Sequence, residues 1–262
     1  NATSTNVEVN AGKLNTGATV PDKPAVSNNA EINYNPVYYA ILIAEQNYQD
    51  ANINELTGPV NDMNRIYRVL TSKYNFNAEN TDTLVNATRA SILETIIRRA
   101  NAMGENDNLF VFYAGHGEMI TNPDKSEEGF LVPKDATAGM VSSYISSEDL
   151  LRTIKYSKAK HILFVVDACF SGTLFRDLPK DAPALVADSY KDKSRRYLAS
   201  GNRKPVPDQS VFIEDFVVSL QENRQQYITA EQLIDIFKND YRKTGLQLQY
   251  NPIKNTDDQG GQ

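Results

Sequence analysis

The sequence predicts an α/β sandwich built on a mostly parallel sheet. Two observations carry that prediction. Three continuous apolar runs, Val37–Ala44, Leu109–Ala114 and His161–Asp167, have the length and composition of strands buried on both faces. Stretches with apolar residues at helical spacing separate them, and such alternation builds parallel sheets covered by helices.

Taken in order, residues 1–35 are rich in Asn, Thr, Ala, Ser and Pro and show almost no apolar periodicity, so they read as a flexible arm or linker. A folded domain is expected over 36–262. Val37–Ala44 is its first strand. Thr57-Gly58-Pro59 then marks a helix start, with Pro59 in the first turn and Val60, Met63, Tyr67 and Leu70 on one face. Thr81–Val85 reads as a short strand. Thr88 can cap a helix whose inner face is Ile92, Ile96, Ala100 and Met103. After Leu109–Ala114, Ser146 and Asp149 form a capping box opening a helix that runs through Ile154. His161–Asp167 follows, then a strand at Arg196–Ser200. Helices over Ser210–Leu220 and Thr229–Tyr241 complete the pattern, the second with a Thr229/Gln232 capping box. The polar, charged stretch 176–195 shows no element, and a loop of that length inside a domain is often functional.

The 262 residues carry a net charge of −6, which argues against a nucleic-acid partner. No apolar run reaches the roughly 18 residues of a membrane-spanning helix. The single cysteine cannot form an internal disulfide, and one Cys with two His argues against structural zinc.

The scarce reactive residues sit in suggestive places. Ligands of open α/β sheets bind at the carboxyl ends of the strands. Leu109–Ala114 runs into Gly115-His116-Gly117, and His161–Asp167 runs into Ala168-Cys169-Phe170-Ser171-Gly172. Neighbouring strands would bring His116 and Cys169 to one rim. An imidazole beside a thiol favours the thiolate and shuttles its proton, which is the basis of nucleophilic cysteine catalysis. The N–H groups of Gly117 and Cys169 would suit a developing oxyanion. Singly, a cysteine at a strand end is commonly an inert core residue and a loop histidine is commonly solvated. The joint pattern, with about fifty residues between the two, is far more specific. A serine hydrolase is disfavoured because no Gly-x-Ser-x-Gly elbow occurs.

Tyr113-Ala114-Gly115-His116-Gly117 and Asp167-Ala168-Cys169-Phe170-Ser171-Gly172 resemble the His and Cys motifs of caspase-like peptidases, most closely the bacterial metacaspase-like (orthocaspase) branch. Leu56-x-Gly58-x-x-Asn61-Asp62, Tyr197–Gly201 and Ser210–Phe212 extend the likeness over about residues 37–250. The resemblance implies a three-layer caspase-like sandwich and a cysteine endopeptidase acting on a protein or peptide substrate. His116 would be the general base and Cys169 the nucleophile, working through a thioester. Asp62 and Asp167 would line the pocket for the residue before the scissile bond. Two carboxylates there favour Arg or Lys, whereas true caspases select Asp with arginines.

The bland readings make Asp62 a solvated acid in a helix first turn and Asp167 a strand-end carboxylate held by backbone. His161 opens a strand far from the rim and reads as structural. A silent or latent interaction module is disfavoured, because both His116 and Cys169 are present. Pro59 stands where the metacaspase segment usually has Cys, and related domains usually add a final apolar strand near where this chain stops.

Metacaspases are often calcium-activated, and Asp124, Glu127 and Glu128 could offer oxygens, but they read as a solvated loop and no cofactor is assigned. Self-cleavage is expected in the 176–196 loop, which carries Lys180, Lys191, Lys193, Arg195 and Arg196. The localisation stays unassigned: a bacterial cytoplasm, and export if a signal peptide was removed before Asn1, are both open.

Overall fold

Strand adjacency decides where the reactive residues meet. A computed structural model describes residues 35–168, 192–200, 210–225, 228–241, 248–253 and 256–260, which all belong to the unit Asn35–Gln262. The expected N-terminal arm, Cys169 and most of the 176–195 loop lie outside the described residues.

A six-stranded sheet runs β2-β1-β3-β7-β8-β9, formed by β1 (Tyr38–Ala44), β2 (Phe76–Val85), β3 (Asn108–Ala114), β7 (His161–Asp167), β8 (Ser194–Ala199) and β9 (Gln249–Pro252). The first five strands are parallel and β9 pairs antiparallel with β8. A separate three-stranded antiparallel sheet holds β4 (Gly117–Thr121), β5 (Glu127–Leu131) and β6 (Ile145–Ser146).

The three expected apolar strands are all present, and each carries two cores. On one face Ile41, Ile43, Val111, Tyr113, Phe164 and Val166 meet Ile92 and Ile96 of α2 (Arg89–Ala102) and Leu150 and Ile154 of α3 (Ser147–Ile154). On the other, Leu42, Phe110, Phe112, Val165 and Leu198 meet α1 (Pro59–Lys73), α4 (Val211–Glu222) and α5 (Ala230–Tyr241). Helices therefore cover both faces, as the α/β/α reading requires. This two-sided burial is why the strands are apolar without alternation.

The helix starts follow their chemistry. Pro59 occupies the first turn of α1. Thr88 Oγ1 accepts the Ser91 N–H at α2, and Ser146 and Asp149 form the expected capping box at α3. Thr229 and Gln232 reciprocate the same way at α5, at 3.0 and 3.1 Å.

Some expectations change. β2 extends back to Phe76, well beyond Thr81–Val85: it is an edge strand paired only with β1, so its polar residues reach solvent and leave no apolar run. β8 begins at Ser194, not Arg196, so Ser194 and Arg195 belong to a strand and not to the loop assigned to 176–195. Arg195 is buried, its Nη2 donating to the carbonyls of Ser157 and Ala159, and Arg196 pairs with Pro252. Cleavage after either would require unpairing β8. The β4–β5 hairpin was not legible, because β4 is at most half-buried and the buried part of β5 is only three residues, Gly129–Leu131. β9 is likewise polar.

Strand order reverses between β1 and β3, with β2 on one side and β7 on the other. The crevice above their carboxyl ends is where such sheets bind ligands. Phe112, fully buried at the sheet centre, tests how far this frame depends on packing. Phe112→Ala is expected to cost about 3–5 kcal/mol, measured by urea unfolding; a loss under about 1 kcal/mol would contradict the central position.

Candidate active site

β3 and β7 are adjacent, parallel and in register, with Ala114 opposite Asp167. Neighbouring strands lie about 4.8 Å apart, so Gly115 and Ala168, the residues that directly follow the two strands, leave the sheet side by side. His116 is the next residue on one side; on the other, Cys169 lies outside the described residues. The Gly115 N–H reaches back to the Asp167 carbonyl at 3.3 Å and ties the two strand ends together.

The loop around His116 is fastened from several sides. The Tyr113 hydroxyl lies 2.8 Å from the His116 carbonyl and 3.0 Å from that of Val132. The His116 N–H donates to the Tyr48 hydroxyl at 3.0 Å, and the two rings lie 5.2 Å apart. His116 Nε2 lies 2.8 Å from the Asn54 carbonyl. A carbonyl only accepts, so Nε2 carries the proton and Nδ1 keeps a free lone pair for a thiol. Sequence reasoning missed Tyr48 and Asn54, because both come from the irregular segment after β1.

Gly115 has a steric reason to be glycine. A Cβ there would sit 2.8 Å from the Tyr113 hydroxyl and 2.9 Å from Cβ of Glu45. Gly117 begins β4 opposite Leu131. The Val132 N–H bonds the His116 carbonyl at 3.1 Å, which makes 116/132 the hydrogen-bonded pair. Bonded and non-bonded pairs alternate in antiparallel ladders, so the Gly117 N–H is directed away from β5. That orientation leaves it available to a ligand.

The two acids singled out from sequence are both buried, Asp62 6% exposed and Asp167 5%. The solvated reading of Asp62 is thereby overturned: α1 turns its first acid inward. Burial, reinforced by the charge of Asp167, raises the Asp62 carboxyl to about 7, against the pull of Arg65. Burial raises Asp167 to about 6, opposed by the hydroxyls of Ser210 and Ser200 close by. Among the described residues Asp167 Oδ1 meets no hydrogen-bond donor. Arg65 stands 3.8 Å from Asp62 and is held 2.6 Å from Glu214 at the start of α4. The site thus holds two coupled, under-neutralised carboxylates.

The remaining titratable residues fall elsewhere. His161 opens β7 at the opposite end of the sheet, beside Asn108 and Ser194, and burial lowers it to about 4. Asp124 lies in the β4–β5 turn, where its Oδ1 accepts the Ser126 N–H. Among the described residues no group of three or more His, Cys, Asp or Glu could hold a metal ion, and no helix is long and apolar enough to cross a membrane. One further acid, Glu45, is fully buried directly after β1. Its signal was in the sequence: an acid at the carboxyl end of a buried strand, in the rim where ligands bind.

Comparison with known proteins gives the family and the fold. The family model described as the caspase domain matches residues 38–243. Metacaspase-1 of Kluyveromyces lactis is 28% identical over 53% of this chain and 34% of its own length. Metacaspase-4 of Arabidopsis thaliana is 31% identical over 46% and 30%, and Metacaspase-6 of the same plant 26% over 74% and 51%. The chain spans between about a third and a half of the length of these relatives. Among solved structures, a protein of Geobacter sulfurreducens superposes with a TM-score of 0.59 at 15% identity, covering 86% of this chain and 99% of that one, a likeness of fold.

Two outcomes are expected from the site. Gly115→Ala should cost about 1–3 kcal/mol in urea unfolding, as a methyl is forced against two anchored side chains; an unchanged midpoint would mean the loop yields freely. The second concerns pH. The folded carboxyl of Asp62 titrates near 7, above its ordinary 3.8. The stability of the neutral form is therefore fully present below the lower value and lost as pH rises through the upper one. Thermal midpoints of Asp62→Asn should match the parent near pH 4 and exceed it by several degrees at pH 8; parallel curves would refute the assignment.

Proposed function

The chain belongs to the caspase-domain family, and on that premise we propose that it is a cysteine endopeptidase cutting on the carboxyl side of Arg or Lys. Cys169 acts as nucleophile and His116 as general base and acid. The observation that carries the reading is the in-register pairing of β3 with β7, which sets the approaches to both residues side by side.

The chemistry runs as follows. His116 Nδ1 takes the thiol proton of Cys169. The thiolate attacks the scissile carbonyl carbon, and the oxyanion is received by the N–H groups of Gly117 and Cys169. The tetrahedral intermediate collapses to a thioester as the imidazolium returns its proton to the departing amine. Water, deprotonated by His116, attacks the thioester, releases the carboxyl product and restores the thiol. The hydrogen bond from Nε2 to the Asn54 carbonyl holds the ring in the required tautomer and steadies the imidazolium.

The preference for a basic residue is supported by Asp62 and Asp167. Two buried carboxylates with incomplete neutralisation are costly, and a guanidinium or ammonium group between them relieves that cost. An acidic side chain would instead meet two like charges. Self-cleavage, in the same reading, falls at the basic residues up to Lys193, not at Arg195 or Arg196.

Fluorogenic peptides ending in Arg, Lys or Asp provide the test. Cleavage after Arg or Lys is expected, falling about 10⁴-fold or more in Cys169→Ala and His116→Ala. Asp167→Asn should lower kcat/KM for the Arg peptide about 30-fold or more, as one partner of a buried charge pair is lost. Cleavage after Asp alone would sink the pocket assignment. A silent protein that also resists alkylation at Cys169 would favour a binding module.

A further inference from the structure

We propose that Glu45 is a positioning residue for His116 whose side chain acts in the neutral form, so that its ionisation switches the site off. This rests on the reading of His116 as general base.

The geometry begins with the place of Glu45 in the fold. It directly follows β1, in the crevice where strand order reverses, and none of it reaches solvent. Its N–H donates to the Ala114 carbonyl at 2.9 Å, so the backbone is fixed to the end of β3. Oε1 accepts the Ala87 N–H at 2.8 Å, and Oε2 has no hydrogen-bond partner. The side chain lies so close to Gly115 that any Cβ there would collide with it. The Glu45 carbonyl in turn accepts the Tyr48 hydroxyl at 3.2 Å, and that hydroxyl receives the His116 N–H. Side chain and main chain of Glu45 therefore both lead to the histidine, one through Gly115 and one through Tyr48.

The charge state follows from the surroundings. A buried carboxylate needs a cation or several strong donors. Glu45 has the Ala87 N–H and, more weakly, the Lys134 N–H, which is itself bonded to the Ala87 carbonyl, and burial outweighs both. The charged groups that face it, Asp135 and Lys134 from the segment after β5, oppose each other. Burial accordingly pushes its carboxyl up to about 8. Below that value the group is a neutral filler under the histidine loop. Above it, a buried anion must draw in water or swing away. Either response moves Gly115, and with it the ring that depends on Tyr48 and Asn54 for its orientation. The site thus carries an alkaline limit set by a residue that never touches substrate.

The experiment compares Glu45→Gln, and Glu45→Met as a second neutral variant of similar size, with the parent protein. The profile of kcat/KM against pH is measured on the peptide the parent cleaves best, and thermal midpoints are followed from pH 6 to 9.5. In the parent an alkaline limb near pH 8 is expected. In the variants that limb should move up by a full pH unit or more, while the acid limb keeps its place. A merely structural residue would lower kcat/KM at all pH values alike. The thermal readout does not depend on catalysis. A raised carboxyl gives stability that is present below its ordinary value of 4.5 and lost as pH rises through about 8, so the parent midpoint should fall more steeply than that of either variant. Superimposed alkaline limbs, or thermal curves of equal slope, would overturn the proposal. A parent that cleaves no peptide would instead sink the peptidase reading, and the thermal slopes alone would then decide the ionisation of Glu45.

Discussion

The register between β3 and β7 is the constraint on which the site depends. Parallel pairing sets Ala114 opposite Asp167 and extends one step further through the Gly115 N–H and the Asp167 carbonyl. Slipping that register by one residue would turn every side chain of one strand to the opposite face. Phe110 and Phe112 would leave the α1/α4 side, and Val111 and Tyr113 would leave the α2/α3 side. The cost of emptying two cores at once, at about 1.5–3 kcal/mol for each large side chain, makes the observed pairing the only affordable one. The position of His116 relative to the end of β7 is thus guaranteed by apolar packing far below it.

What the packing gains, the rim partly gives back. Glu45, Asp62 and Asp167 are all buried near the carboxyl ends of β1, β3 and β7, and each is raised by burial. A sheet selected only for stability would place apolar or hydrogen-bonded groups there. The three acids differ in kind. Asp62 and Asp167 act on each other and on Arg65 and Glu214, so they form an electrostatic set open to a cation. Glu45 stands apart, beneath Gly115, with the backbone N–H groups of Ala87 and Lys134 and opposed charges around it. In the proposed function, one pair selects the substrate and the lone acid supports the base. Both roles draw on the same source, the cost of charge in a poorly solvated place.

The legibility of the fold in the sequence follows from the same physics. Val37–Ala44, Leu109–Ala114 and His161–Asp167 are buried on both faces, and nothing but apolar residues can fill such strands, so they read off within a residue of their ends. Helix starts read equally well where a Pro opens the first turn or a Thr or Ser caps it. Edge elements do not. β2 has one neighbour, β9 is polar, and the β4–β5 hairpin is stabilised by a turn in which Lys125 takes a positive φ and by its pairing with the His116 segment, neither of which leaves an apolar pattern. The start of β8 was hidden for another reason: Ser194 and Arg195 are polar, and Arg195 is buried through carbonyl acceptors that come from 36 or more residues away in the chain. Of the candidate site, His116, Gly117, Asp62 and Asp167 are singled out in the sequence by motif and strand end, and the burial of the two acids is what the structure adds. The groups that hold His116, Tyr48 and Asn54, come from the irregular segment after β1, where no periodicity marks function.

In the proposed function, that segment is what lets a histidine at a strand end act as a base. A loop histidine is ordinarily a solvated side chain with two equivalent tautomers and many rotamers. Here the carbonyl of Asn54 removes the tautomer choice, the ring of Tyr48 limits rotation, and the hydroxyls of Tyr48 and Tyr113 pin the backbone on either side of the residue. The restraints come from three places: Tyr48 and Asn54 from the segment after β1, Tyr113 from β3, and through Val132 the end of β5. Order is therefore supplied before any substrate arrives, which is the condition under which proton transfer gains from a fixed geometry. Glycine at 115 is what permits it. Only a residue without Cβ lets Glu45 and Tyr113 close in beneath the turn, so the absence of a side chain at one position is what allows three others to fix the imidazole.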